Sequence, residues 1–139
     1  MRKDLTDYPT KILIAFGEAI DRNVKIHKWL LENGYPELGA LAASLQADAQ
    51  AFDWLMQHGF NHFAAFSNAI DDDKQAFDWL KKHNFHFLLV LHDAIDEKPE
   101  ALRFLKEKKL EVFFILAHKI KKLKQQQHRD YEDYHSIHF

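Results

Sequence analysis

Ten histidines and the acids near them are the residues of this 139-residue sequence best suited to chemistry, because a neutral imidazole ligates metal and titrates near neutrality. His58 and His62 stand four residues apart, the spacing of a helical ligand pair, and a metal-dependent activity would start from them. Gly59 lies between them and is expected to close one helix before His62 opens the next, which puts the two rings on different faces. His83 and His86 straddle Asn84 in the same way. Helix-end electrostatics accounts better for His58 and His83, since a cationic ring is favoured beside the last carbonyls of a helix. His128, His135 and His138 lie near Asp130, Glu132 and Asp133 and could chelate a metal without forming a built site. The expectation is no metal site and no cofactor.

Covalent catalysis finds no better footing. There is no cysteine, and none of the three serines, Ser44, Ser67 and Ser136, stands in a nucleophile elbow. The four glycines form no phosphate-cradling loop. His128-Arg129-Asp130 matches three residues of the protein-kinase catalytic loop, but the chain is too short and lacks the glycine-rich loop and the downstream elements. Acids such as Asp71 and Asp73 stand where helix capping accounts for them. An enzyme is not expected. The basic segment from Lys119 to Arg129 supplies an alternative, a nucleic-acid-binding surface working through phosphates. The net charge of −2 argues against it, as does the fact that lysines suit the C-terminal part of a helix.

The elements that position these residues are legible because the sequence repeats. AFDWLMQHGF at 51–60 returns as AFDWLKKHNF at 76–85, an offset of 25 residues. The same register aligns Trp29, Trp54, Trp79 and Phe104, then Leu30, Leu55, Leu80 and Leu105. It also aligns Phe16, Leu41, Phe66, Leu91 and Leu116, and Ile20, Leu45, Ile70, Ile95 and Ile120. Punctuation recurs with it. Asn23, Asp48 and Asp73 are short acceptors suited to a helix N-cap, and in the fourth row Lys98 is followed by Pro99 at the first helical position. Gly34, Gly59 and Asn84 mark helix ends. A second helix is predicted over 36–46, 61–71, 86–96 and from 111 onward. The tryptophan column is expected in the core beside the leucines. The small column Ala51, Ala76 and Ala101 is expected to let neighbouring helices approach.

LHDAIDEKPEALRFLKEK at 91–108 resembles the helical part of an ankyrin repeat, with Leu91, His92 and Ala94 similar to that family's Leu-His-x-Ala and Phe104-Leu105 to its paired leucines. The Thr-Pro of that family is absent, and the unit leaves no room for its hairpin. The resemblance implies a protein-binding helical repeat, and HEAT-like repeats compare equally well in architecture. It also suggests a hydrogen-bonded interior role for His92, whose column otherwise holds Gly17, Ala42, Ser67 and Ala117.

These readings define an all-α chain, a right-handed α-solenoid of about four to five stacked antiparallel helix pairs in one domain. Residues 1–10 form an N-terminal cap, 11–120 the repeats, and 121–139 a helical extension and tail. No apolar stretch is long enough to cross a bilayer, and the segment MRKDLTDYPTK does not read as a secretion signal, so a cytoplasmic protein is expected. The expected role is a non-catalytic protein-interaction or scaffolding module. Its surface is sought where the paired positions Gly39-Ala40, Ala64-Ala65, Leu89-Val90 and Phe114-Ile115 grow in size. Leu89, Val90, Phe114 and Ile115, with His92 and Asp93, are the candidate partner-binding residues. The apolar run Val112 to Leu116 needs cover, whether from the tail through Tyr131, Tyr134, Ile137 and Phe139, from a second copy, or from another protein.

Overall fold

The computed structural model describes residues 3–137, with side chains as far as Tyr134. Among these residues a short 3-10 turn, Leu5–Asp7, precedes nine helices: α1 Thr10–Ile20, α2 Val24–Glu32, α3 Pro36–Leu45, α4 Ala49–Gln57, α5 Asn61–Ile70, α6 Lys74–Lys82, α7 His86–Ile95, α8 Pro99–Glu107 and α9 Glu111–Ile137. Among the described residues there is no strand. Asn23, Asp48 and Asp73 each accept backbone N–H groups of the helix they open, and Pro99 opens α8 without a side-chain cap.

Every helix from α1 to α8 closes in the same manner. The residue after each C-cap has positive φ: Arg22, Ala47, Asp72 and Glu97 after the odd helices, and Gly34, Gly59, Asn84 and Lys109 after the even ones. The next residue then donates its backbone N–H five residues back, as Tyr35 does to Leu30 at 3.0 Å and Asp48 to Ala43 at 3.0 Å. This is Schellman closure, which satisfies carbonyls the helix cannot pair internally. From α1 to α7 the donating residue is itself the N-cap of the following helix, which fixes each loop at three residues. The sequence marks only three of these eight turns, because the other five left-handed positions, Arg22, Ala47, Asp72, Glu97 and Lys109, carry no glycine or asparagine.

Short helices of this kind are marginal alone, and packing stabilises them. The odd helices contact one another in the order α1, α3, α5, α7 and α9, and α9 also returns to contact α1. Each even helix packs mainly on the odd helices before and after it. The core follows the repeat columns. Leu30, Leu55, Leu80 and Leu105 are buried from the even helices, and Phe16, Leu41, Phe66, Leu91 and Leu116 from the odd ones. Each such side chain contributes about 1.5 to 3 kcal/mol of transfer free energy.

The tryptophan column, expected in the core, lies at its edge: Trp29 is 44% and Phe104 37% exposed, while Trp54 and Trp79 are half-buried and pack against the core. The Schellman turn explains this, because it pairs a residue near the helix end with the one just past the left-handed position. Trp29 stacks on Tyr35, Trp54 on Phe60 and Trp79 on Phe85, with ring centroids 6.2, 6.1 and 5.7 Å apart. These rings clasp turns; the adjacent leucines fill the interior.

The run Val112 to Leu116 is covered only in part: Phe113 is buried beside Phe87 of α7 and Leu116 beside Gly17 of α1, while Val112 and Phe114 are half-buried and Ile115 is exposed. Gly17 makes the approach possible, since a Cβ there would stand 3.2 Å from Leu116 Cδ2 and from Lys119 Cδ. As far as Tyr134 the tail does not fold back over this run. α9 continues to Ile137, Tyr131 and Tyr134 are 63% and 61% exposed, and the Ile137 and Phe139 side chains lie outside the described residues. No helix among the described residues is long and apolar enough to cross a membrane.

Candidate functional site

The repeat produces two equivalent grooves. The first lies between α2 and α4 over α3, lined by His27, Leu31, Gly39, Ala40, Ala51 and Trp54 among others, with a volume of about 280 Å³. The second lies between α4 and α6 over α5, lined by Phe52, Met56, Ala65, Asn68, Ala76 and Trp79, with about 380 Å³. His27 and Phe52, Leu31 and Met56, Ala40 and Ala65, Ala51 and Ala76, and Trp54 and Trp79 are each one repeat apart. Both grooves are mainly apolar, and Leu31 and Met56 expose nearly half of their surface there.

Small residues open these grooves. Outer helices separated by one inner helix leave a cleft whose floor is set by the inner helix, and Ala40 and Ala65 keep that floor low. Gly39 goes further, because a Cβ there would stand 2.6 Å from Leu31 Cδ2, and its carbonyl accepts from His27 Nε2 at 2.9 Å. Ala51 and Ala76 are partly buried against the core and also line the groove walls. The sequence contained this signal in the paired positions that grow in size, but periodicity alone does not say which side of an inner helix faces a cleft.

A saddle connects the two grooves. It is lined by Ser44, Asp48, Phe52, Asp53, Asn68 and Asp71 among others, shares Asp48 with the first groove and shares Phe52 and Asn68 with the second. The Ser44 and Ser67 hydroxyls meet at 2.9 Å beneath it. Asp48 accepts from Gln50 and Ala51 as the N-cap of α4, Asp71 pairs with Lys124 at 3.0 Å, and Asp53 is exposed. The result is apolar, acidic, then apolar along one continuous path.

The candidate residues from the sequence occupy later rows of the same register. Leu89 and Val90 stand on α7 where Gly39-Ala40 and Ala64-Ala65 stand on α3 and α5, and both are half-buried. Phe114 is half-buried and Ile115 is 54% exposed on α9. His92 lies against the Phe77 ring, with its Nδ1 3.2 Å from Asp93 Oδ1, and Lys98 donates to the same carboxylate at 3.4 Å. The two residues form a local pair beside Phe77 of α6.

The histidines of the sequence separate. His58 hydrogen-bonds the Trp54 carbonyl through Nδ1 at 2.8 Å and stacks on the Trp54 ring, whereas His62 is buried and reaches the Lys3 carbonyl through Nε2 at 2.6 Å. Among the described residues no three His, Asp or Glu side chains gather as a metal set; the His135 and His138 side chains lie outside them. The basic segment is largely engaged within the fold. Lys119 pairs with Asp21, Lys121 with Glu97 at 2.9 Å, and Lys124 with Asp71 and the Leu45 carbonyl. Lys121 holds the Glu97 carboxyl below its usual range through a hydrogen bond and its charge. These lysines meet the C-terminal ends of α1, α3, α5 and α7, where helix dipoles favour cations.

No family model, curated protein or solved structure matches the chain.

Proposed function

We propose that the chain is a non-catalytic protein-interaction module, a right-handed α-solenoid of helix pairs whose outer grooves receive a segment of another protein in the cytoplasm. The observation that carries this reading is the duplication of one apolar groove at the repeat period, with Leu31 and Met56 exposed at equivalent points. Concave apolar sites with a few fixed polar groups are where ligands bind, and tandem copies suit a chain that runs across successive helices. Leu89, Val90, Phe114 and Ile115 continue the same register as a fuller ridge, which would bound the groove path on that side.

The test is selection of a randomised peptide display library on the folded protein, in parallel with the double variant Ala40→Val and Ala65→Val. Valine is the residue the third row already carries at this position, so the fold should tolerate it. The reading expects peptides that bind wild type and lose at least about tenfold in affinity on the filled variant, equivalent to about 1.4 kcal/mol. Peptides that bind both proteins equally, or no enrichment at all, would refute it.

A further inference from the structure

The path between the two grooves limits what can lie along it. Resting on the groove reading, we infer that the site takes an extended, polyproline-II-like peptide with two apolar side chains three residues apart and a lysine or arginine between them.

Spacing supplies the first part. The inner helices α3 and α5 pack on each other, and packed helices stand about 8 to 10 Å apart, so the equivalent floor residues Ala40 and Ala65 are separated by about that distance. A polyproline-II segment advances about 3.1 Å per residue with three residues per turn, which returns a side chain to the same face after about 9 Å. Such a segment can therefore place one apolar side chain beside Leu31 and Ala40 and the next beside Met56 and Ala65. A β-strand alternates faces with period two and points its third residue away from the groove.

Charge supplies the second. Between the grooves the path crosses the saddle of Asp48, Asp53 and Asp71. Lys124 pairs with Asp71, and among the described residues no ion pair matches Asp48 or Asp53. A basic side chain between two apolar ones meets them, whereas an acidic one meets like charge. The walls agree with an apolar stem on either side, since Phe52 lines the crossing and the second groove and Trp54 lines the first groove.

The experiment measures fluorescence anisotropy of three synthetic peptides: one carrying Leu-Pro-Lys-Leu, one carrying Leu-Pro-Glu-Leu, and one carrying Leu-Lys-Leu. Wild type should prefer Leu-Pro-Lys-Leu over Leu-Pro-Glu-Leu by about fivefold or more, with the preference shrinking as salt rises. Leu-Lys-Leu, with its spacing shortened, should bind more weakly. The variant Asp48→Asn with Asp53→Asn keeps the α4 cap, because asparagine caps as well as aspartate, and should lose the charge preference. Equal binding of the Lys and Glu peptides, abolished in Ala40→Val with Ala65→Val, would overturn the charge assignment and leave the groove reading standing. Stronger binding of Leu-Lys-Leu would overturn the spacing. Absence of binding by all three would overturn this peptide class, while the display selection judges the grooves separately.

Discussion

Lys124 Nζ donates to the Leu45 carbonyl oxygen at 2.6 Å and joins the last helix to the end of α3 across 79 residues of sequence. Gln127 Nε2 donates to the same oxygen at 3.0 Å. The carbonyl is one that α3 cannot satisfy internally, and the ammonium stands at the negative end of its dipole. A segment whose composition suggests phosphate binding thus serves as a shared cap for the inner helices.

Replacing Lys124 by Met should therefore destabilise the fold by about 1 to 2 kcal/mol, the scale of a charged hydrogen bond lost at a partly buried carbonyl. Urea denaturation measures it. An unchanged midpoint with an unchanged slope would mean that α9 is held by its apolar face alone.

That apolar face depends on Gly17. Gly17→Leu should cost about 1 to 3 kcal/mol by overpacking the contact between α1 and α9, and adding Leu116→Ala should recover part of the loss. Simple addition of the two single effects would show that the residues do not share a contact.

The left-handed turns make an opposite forecast. Ala47 holds φ at 71°, a conformation that costs a non-glycine residue about 1 kcal/mol or more, so Ala47→Gly should stabilise the protein by about 0.5 to 1 kcal/mol. Gly59→Ala, at φ 83°, should destabilise it by a similar amount. Thermal unfolding of the pair checks both signs.

Tyr8 predicts a pH dependence. Its hydroxyl donates to Glu37 Oε2 at 2.6 Å, both groups are buried, and burial together with the Glu37 carboxylate pushes the phenol far above its usual range. A group whose folded pKa is raised stabilises the fold below its unfolded pKa, about 10 for tyrosine, and loses that contribution as pH rises above it. Stability should fall above about pH 10, and Tyr8→Phe should flatten that limb while costing about 1 to 3 kcal/mol at neutral pH by leaving the Glu37 carboxylate without its donor.

The repeat made most of this architecture legible. Asn23, Asp48, Asp73 and Pro99 begin helices, and Gly34, Gly59 and Asn84 end them, because capping depends on local residue chemistry. The leucine column is buried for the same periodic reason. Tertiary choices were harder to read. Trp29 and Leu30 are adjacent and both apolar, and nothing in their spacing says that one clasps a turn while the other fills the core. The contact of α9 with α1 pairs residues about a hundred positions apart, beyond the reach of a 25-residue pattern. The grooves were half visible: Gly39-Ala40 and Ala64-Ala65 stood out in the sequence, but the cleft exists only because α2, α4 and α6 are held apart.

The most direct test of the grooves as the binding site is a methyl NMR titration with a peptide selected on the protein. The Leu31, Ala40, Met56 and Ala65 methyl signals should shift together, at one midpoint, while Leu13 and Leu116 in the interior stay in place. Shifts confined to Leu89, Val90 and Ile115, or to neither set, would contradict the account.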